Sequence, residues 1–186
     1  MHWLKQYLKP TLGAASLAIA ILGAQPVFAQ DTDALLQGLA SATADTAPGL
    51  ADRIRREWDK SGSAAADLLL LRARKALKQR DFGAAIDHYT ALTDHAPNFA
   101  EGWHGRANAY FAADLLGPAV ADLERALLLN PNHFDAIRGL AVVFETLNRP
   151  QDAYAAYLLV KSIHPHHPDI TEAIERLETL ATGQKL

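Results

Sequence analysis

The amino-acid sequence predicts an all-α fold of stacked helix pairs. Two observations carry this. The chain of 186 residues is 49% hydrophobic, and alanine and leucine dominate while runs of valine, isoleucine and threonine are scarce. That balance favours helix over sheet. Pro97, Pro131 and Pro165 then recur every 34 residues, and a fixed period of this size marks a helical-repeat solenoid.

The period extends to side-chain size. Leu69, Trp103 and Ile137 stand 28 residues before the three prolines. Ala73, Ala107 and Ala141 follow four residues on, and Ala76, Tyr110 and Phe144 three further. Ala85, Ala119 and Ala153, then Tyr89, Leu123 and Tyr157, complete the order. Each unit reads as two helices, with small residues where the pair must approach closely. Turns fall at "QRDFG", "ADLLGP" and "LNRPQD". Pro118 and Pro150 suit the first turn of a second helix. Pro97, Pro131 and Pro165 end it, because the residue before proline is pushed out of the helical region. Asn98 and Asn132 are expected to cap the helix that follows.

This order resembles the tetratricopeptide repeat (TPR), most clearly in "WHGRANAY" through "NP" at residues 103–131. Arg72 and Arg106 depart from it, standing where leucine is usual, and Ala76 replaces an aromatic. The resemblance implies a right-handed solenoid of three TPR helix pairs with capping helices at both ends. The pairs are expected at 66–99, 100–133 and 134–167.

The flanks read differently. Residues 1–29 hold Lys5 and Lys9, then an apolar run, then "PVFA". This is the pattern of a signal peptide cleaved after Ala29, and it points to an exported, periplasmic protein of a Gram-negative bacterium. An uncleaved N-terminal tether is the alternative. Residues 30–48 read as a short helix near Leu35, Leu36 and Leu39 within a flexible linker. In 49–62, Leu50, Ile54 and Trp58 form one apolar stripe, expected to cover the first repeat. Ser63 is placed to cap the next helix. Residues 168–181 form a C-terminal capping helix opened by Pro168, with Ile170, Ile174, Leu177 and Leu180 on one face.

Composition excludes several functions. The net charge is −3, and it becomes −5 without the leader and its two lysines. Such a chain does not suit a nucleic-acid partner. There is no cysteine, which removes disulfides, thiolate catalysis and a lipoprotein anchor. No phosphate loop, G-x-S-x-G elbow or H-E-x-x-H helix is present. Carboxylates such as Asp122 read as solvated helix faces, with Asp122 and Arg125 within pairing distance. No enzyme activity and no cofactor is expected.

"IHPHHP" at 163–168 raises one further question. His164, His166 and His167 could hold a metal or haem, but two adjacent turn histidines do not converge on one centre. The segment reads as the turn closing the third repeat. His88, His95, His104 and His133 are spread through the repeats and show no ligand spacing.

A surface remains. In the family, the first helix of each pair lines a concave groove. The resemblance places Leu70, Arg74, Leu77 and Lys78 there from the first repeat, His104, Asn108 and Phe111 from the second, and Arg138, Val142 and Glu145 from the third. This mixed groove suits a peptide or partner protein with acidic and apolar features. The positions with which some members grip the carboxylate tail of a heat-shock chaperone hold Leu70, Arg74, Gly105, Asp135 and Gly139 here. Only Arg74 could serve, so that adaptor role is not expected. The chain reads as a protein–protein interaction scaffold, with partners in a membrane complex or a self-assembled homo-oligomer as further readings.

Overall fold

The computed structural model describes residues 27–183. Among these are nine helices and no strand. The leader expected over 1–29 lies outside them, apart from Val27–Ala29 in the first turn of α1 (Val27–Ala40). Then follow α2 (Ala47–Trp58), α3 (Ala64–Lys78), α4 (Phe82–His95), α5 (Ala100–Ala112), α6 (Leu116–Leu129), α7 (Phe134–Thr146), α8 (Pro150–Ile163) and α9 (Ile170–Thr182). The pairs α3–α4, α5–α6 and α7–α8 stack in sequence into a solenoid.

A second 34-residue rhythm closes each pair. Arg80, Asp114 and Asn148 have φ of 61°, 61° and 54°. Each leaves the first helix in the left-handed conformation, so the next residue can bond back to it. Asp81 N–H reaches the Ala76 carbonyl at 3.0 Å, Leu115 reaches Tyr110 at 2.8 Å, and Arg149 reaches Phe144 at 2.8 Å. These bonds satisfy carbonyls that a helix end would otherwise strand.

Ser63 accepts from the Ala66 N–H at 3.4 Å and caps α3. Asn98 and Asn132 do not cap. The chain enters α5 and α7 one residue later, at Phe99 and His133. His133 does the asparagine's work, its Nδ1 accepting from the Ala136 N–H at 3.2 Å. Pro168 also stands outside α9, whose cap is Asp169 at φ 65°.

Packing follows size. Tyr89 of α4 is buried and lies where a Cβ on Gly105 of α5 would be 2.2 Å from its ring. One repeat on, Leu123 lies over Gly139, at 3.2 Å from a Cβ there. Ala73, Ala107 and Ala141 are buried in each first helix. Arg106, at the position of the family's leucine, grips Asp122 of α6 with two bonds of 2.6 and 2.9 Å. Its guanidinium also lies over Trp103. Asp122 is therefore buried and paired; it is not a solvated carboxylate, and its partner is Arg106 instead of Arg125.

The apolar core is in two parts. A smaller one joins α3, α4 and Ala109 of α5. The larger runs through α5 to α9 and takes in Leu39 of α1 and Ala47, Ala51 and Ile54 of α2. The segment read as a linker is thus largely helix, because Leu35, Leu36 and Leu39 pack on this core. The α1–α2 hairpin is also not a cover over the outside of the first repeat. Its apolar face joins the larger core, and Leu71 on α3 stays 65% exposed. At the other end α9 buries Ile170, Ala173, Ile174 and Leu177 against the last repeat.

Candidate functional site

The end of α2 meets the first helices of the first and third repeats, through Arg55 and Trp58 on α2 and Asp59 just past it, at i, i+3 and i+4 on one face. Arg55 donates to both carboxylate oxygens of Asp135 on α7, Nε to Oδ2 at 2.7 Å and Nη2 to Oδ1 at 2.9 Å. Its guanidinium lies 5.1 Å from the Phe134 ring centroid. Trp58 stacks on His133 at 4.5 Å and packs on Phe134 at 4.9 Å. Asp59, just past α2, accepts two bonds from Arg74 on α3. Arg74 also donates to Glu101 Oε1 on α5 at 2.8 Å. Charge-assisted, two-pronged pairs of this kind fix orientation as well as adding energy.

Glu101 is the centre of the arrangement. Its other oxygen faces His133 Nε2 at 3.0 Å and His104 Nδ1 at 3.3 Å. The backbone decides the His133 tautomer. Since Nδ1 accepts from the Ala136 N–H, the ring proton sits on Nε2 and points at Glu101. His104 is set likewise, because the Asn108 amide lies 3.1 Å from its Nε2. Burial opposes the charge on Glu101, yet His104 and His133 more than offset it and hold the carboxyl well below the usual range. For His104, burial is outweighed by the Glu101 charge and the pKa rises. For His133, burial wins and the pKa falls. Asp135 follows the Glu101 pattern. Burial is overcome by the His167 side chain and by Arg55, so its carboxyl stays far below the ordinary range.

Glu101, His104 and His133 bring three ligand atoms within 4.8 Å of one another. The donor set could suit a metal, but the proton positions do not. A cation on His133 Nε2 would push the proton to Nδ1, where the Ala136 N–H already points. The cluster reads as a proton-bridged clasp between α5 and the start of α7, tied to α3 through Arg74. Sequence spacing missed it, because 101, 104 and 133 meet only through stacking of successive repeats.

Of the residues expected in the groove, Arg74 and His104 belong to the clasp. Asn108 is exposed and supports His104. Lys78 and Phe111 are exposed. Arg138 lines a cleft with Tyr157 and Arg176, beside α9. Val142 packs on the core. Glu145 accepts from the Tyr157 hydroxyl at 2.7 Å and from Arg176 of α9. The groove is thus occupied by this chain at both ends, and Lys78, Asn108 and Phe111 remain open between. In "IHPHHP", the rings of His164 and His167 lie 5.1 Å apart against Phe134. His166 is exposed, so the three do not converge. His164 is buried with its Nδ1 unpartnered.

Stacked helix pairs with a paired, charged inner face define a helical-repeat interaction scaffold. A family model of the tetratricopeptide repeat matches residues 70–117 and 118–168. The chain belongs to the tetratricopeptide repeat family. It is 30% identical over 141 residues to a TPR repeat-containing protein of Rhizobium etli, covering 76% of this chain and 69% of that one. It is 29% identical to the small glutamine-rich tetratricopeptide repeat-containing protein 2 of Saccharomyces cerevisiae, over 64% of this chain but only 34% of that protein. Among solved structures, the first TPR of Spaghetti bound to HSP90 peptide SRMEEVD is similar at 25% identity and TM-score 0.62, over 64% of this chain and 95% of that one. MamA shares the fold at TM-score 0.59 and 23% identity, over 73% of this chain and 81% of its own.

Proposed function

We propose that this protein is a non-catalytic scaffold of the cell envelope that holds a peptide or partner protein on its inner groove. The observation that carries this reading is that the inner face already holds a helix end through matched charges and a stacked aromatic. The likeness to a peptide-bound TPR domain supports it. The chaperone tail itself is a poor fit, since Arg74 is engaged by Asp59 and Glu101. The envelope location rests on the leader pattern of residues 1–29. Among the described residues, no helix is long and apolar enough to cross a membrane.

The test is crosslinking capture from envelope fractions, with N-terminal sequencing of the purified chain. The native chain is compared with a Lys78→Glu, Asn108→Ala, Phe111→Ala variant, which alters the open stretch and leaves both carboxylate–arginine pairs intact. Loss of one specific protein from the variant supports the groove. Capture unchanged by the variant overturns it. Self-assembly is a second reading, favoured by Leu68 and Leu71, exposed on α3. A mass that stays monomeric across a concentration series removes it.

A further inference from the structure

We propose that the inner face is built for an amphipathic helix carrying arginine, an aromatic at i+3 and a carboxylate at i+4, and that the end of α2 is a resident occupant which such a helix displaces. This rests on the scaffold reading and names the class of partner. The chemistry of the face sets the pattern. Asp135 takes a guanidinium in a two-pronged bond. His133 and Phe134 offer rings to an aromatic side chain. Arg74 takes a carboxylate. Only a helix presents three such groups together at i, i+3 and i+4.

The attachment of the occupant is consistent with exchange. Ile54 anchors α2 in the larger core and Trp58 packs against it, but beyond Ile54 the grip includes two ion pairs whose arginines keep roughly two-fifths of their side-chain surface exposed, Arg55 39% and Arg74 41%. The link to α3 is the short turn at 59–63, where Gly62 is at φ 74°. The tether keeps α2 at high local concentration. A free helix binds only to the fraction of molecules with the face vacant, so an occupant seated nine-tenths of the time weakens it about ten-fold.

The experiment uses the whole chain from residue 30 and a labelled synthetic peptide of residues 46–60. The native protein is compared with Arg55→Asp, which sets a carboxylate against Asp135 and frees the face. Hydrogen exchange reads α2 separately from α3 to α9. The expected result is faster exchange in α2 with α3 to α9 unchanged, and at least about ten-fold tighter peptide binding by the variant. Adding Asp135→Arg should restore α2 protection and abolish peptide binding. The proposal is overturned if α2 stays protected in Arg55→Asp, if α3 to α9 open along with it, or if the freed face does not bind the peptide. The readout needs no cellular partner, so it fails or succeeds independently of the capture experiment.

Discussion

Replacing Gly105 with alanine should destabilise the fold although it improves helix propensity. The added Cβ would stand 2.2 Å from Cε1, 2.4 Å from Cζ and 2.7 Å from Oη of Tyr89. That ring is 2% exposed and packed in the smaller core, so relief requires α4 and α5 to part. Overpacking of this kind costs about 1–3 kcal/mol, and an overlap with a whole ring belongs at the upper end. Alanine over glycine in a helix returns about 1 kcal/mol. The net loss is about 2 kcal/mol, or about 4–8 °C in Tm for a chain of this size. Gly139→Ala is the matched control, since its Cβ meets Leu123 at 3.2 Å. A shift of a few tenths of an ångström should suffice there, leaving stability near neutral. Urea melts followed by circular dichroism would compare both variants with a Tyr89→Leu, Gly105→Ala double mutant. The double mutant should be more stable than the sum of its single changes predicts. If Gly105→Ala is as stable as Gly139→Ala, the packing argument is wrong.

Three other outcomes follow from named contacts. Arg106→Leu restores the family's usual residue but strands Asp122, whose side chain is 8% exposed. It should cost about 3–5 kcal/mol in a thermal melt, with much of the loss recovered by adding Asp122→Leu. Arg80→Gly removes a long side chain from a left-handed position at φ 61°, and chemical denaturation should show a gain of about 1 kcal/mol. His164 is pushed down to about 4 by burial and by the nearby His167 and Arg55. Its folded pKa is below the unfolded value of about 6.5, so its contribution is complete above that pH and is lost as pH falls toward 4. His133, also lowered, adds to this fall, and His104, raised, opposes it. Urea melts from pH 7.5 to 4.5 should therefore show a shallower decline for His164→Phe than for the native chain. Parallel slopes would exclude a neutral buried His164.

The helix pairs were legible because the proline period and the alanines at 73, 107 and 141 report backbone spacing directly. The matching turns at Arg80, Asp114 and Asn148 were not, since three unlike residues occupy a position where glycine would have been the signal. The capping role of His133 escaped for a similar reason: asparagine one residue earlier is the better capper, and the chain's path decides which residue faces the amide. Register placed Arg74, His104 and Glu145 on the first helices. It did not show what covers them, because nothing in the local pattern of α2 or α9 says onto which face a terminal helix folds. Glu101 and Asp122 were invisible as buried charges, their partners being supplied by other helices and other repeats.

The seam between Tyr89 and Gly105 gives the array a direction of growth. Residues 71, 105, 139 and 173 occupy one register, and they are Leu, Gly, Gly and Ala. At 105 and 139 a hollow receives the bulky residue of the preceding pair. Leu71 has no hollow, and among the described residues no earlier pair stands over it. A duplicated unit could be spliced into an interior seam, where donor and hollow are both regenerated. Placed ahead of α3 it would meet a leucine where its tyrosine needs a glycine, so the first repeat is a built-in starting point.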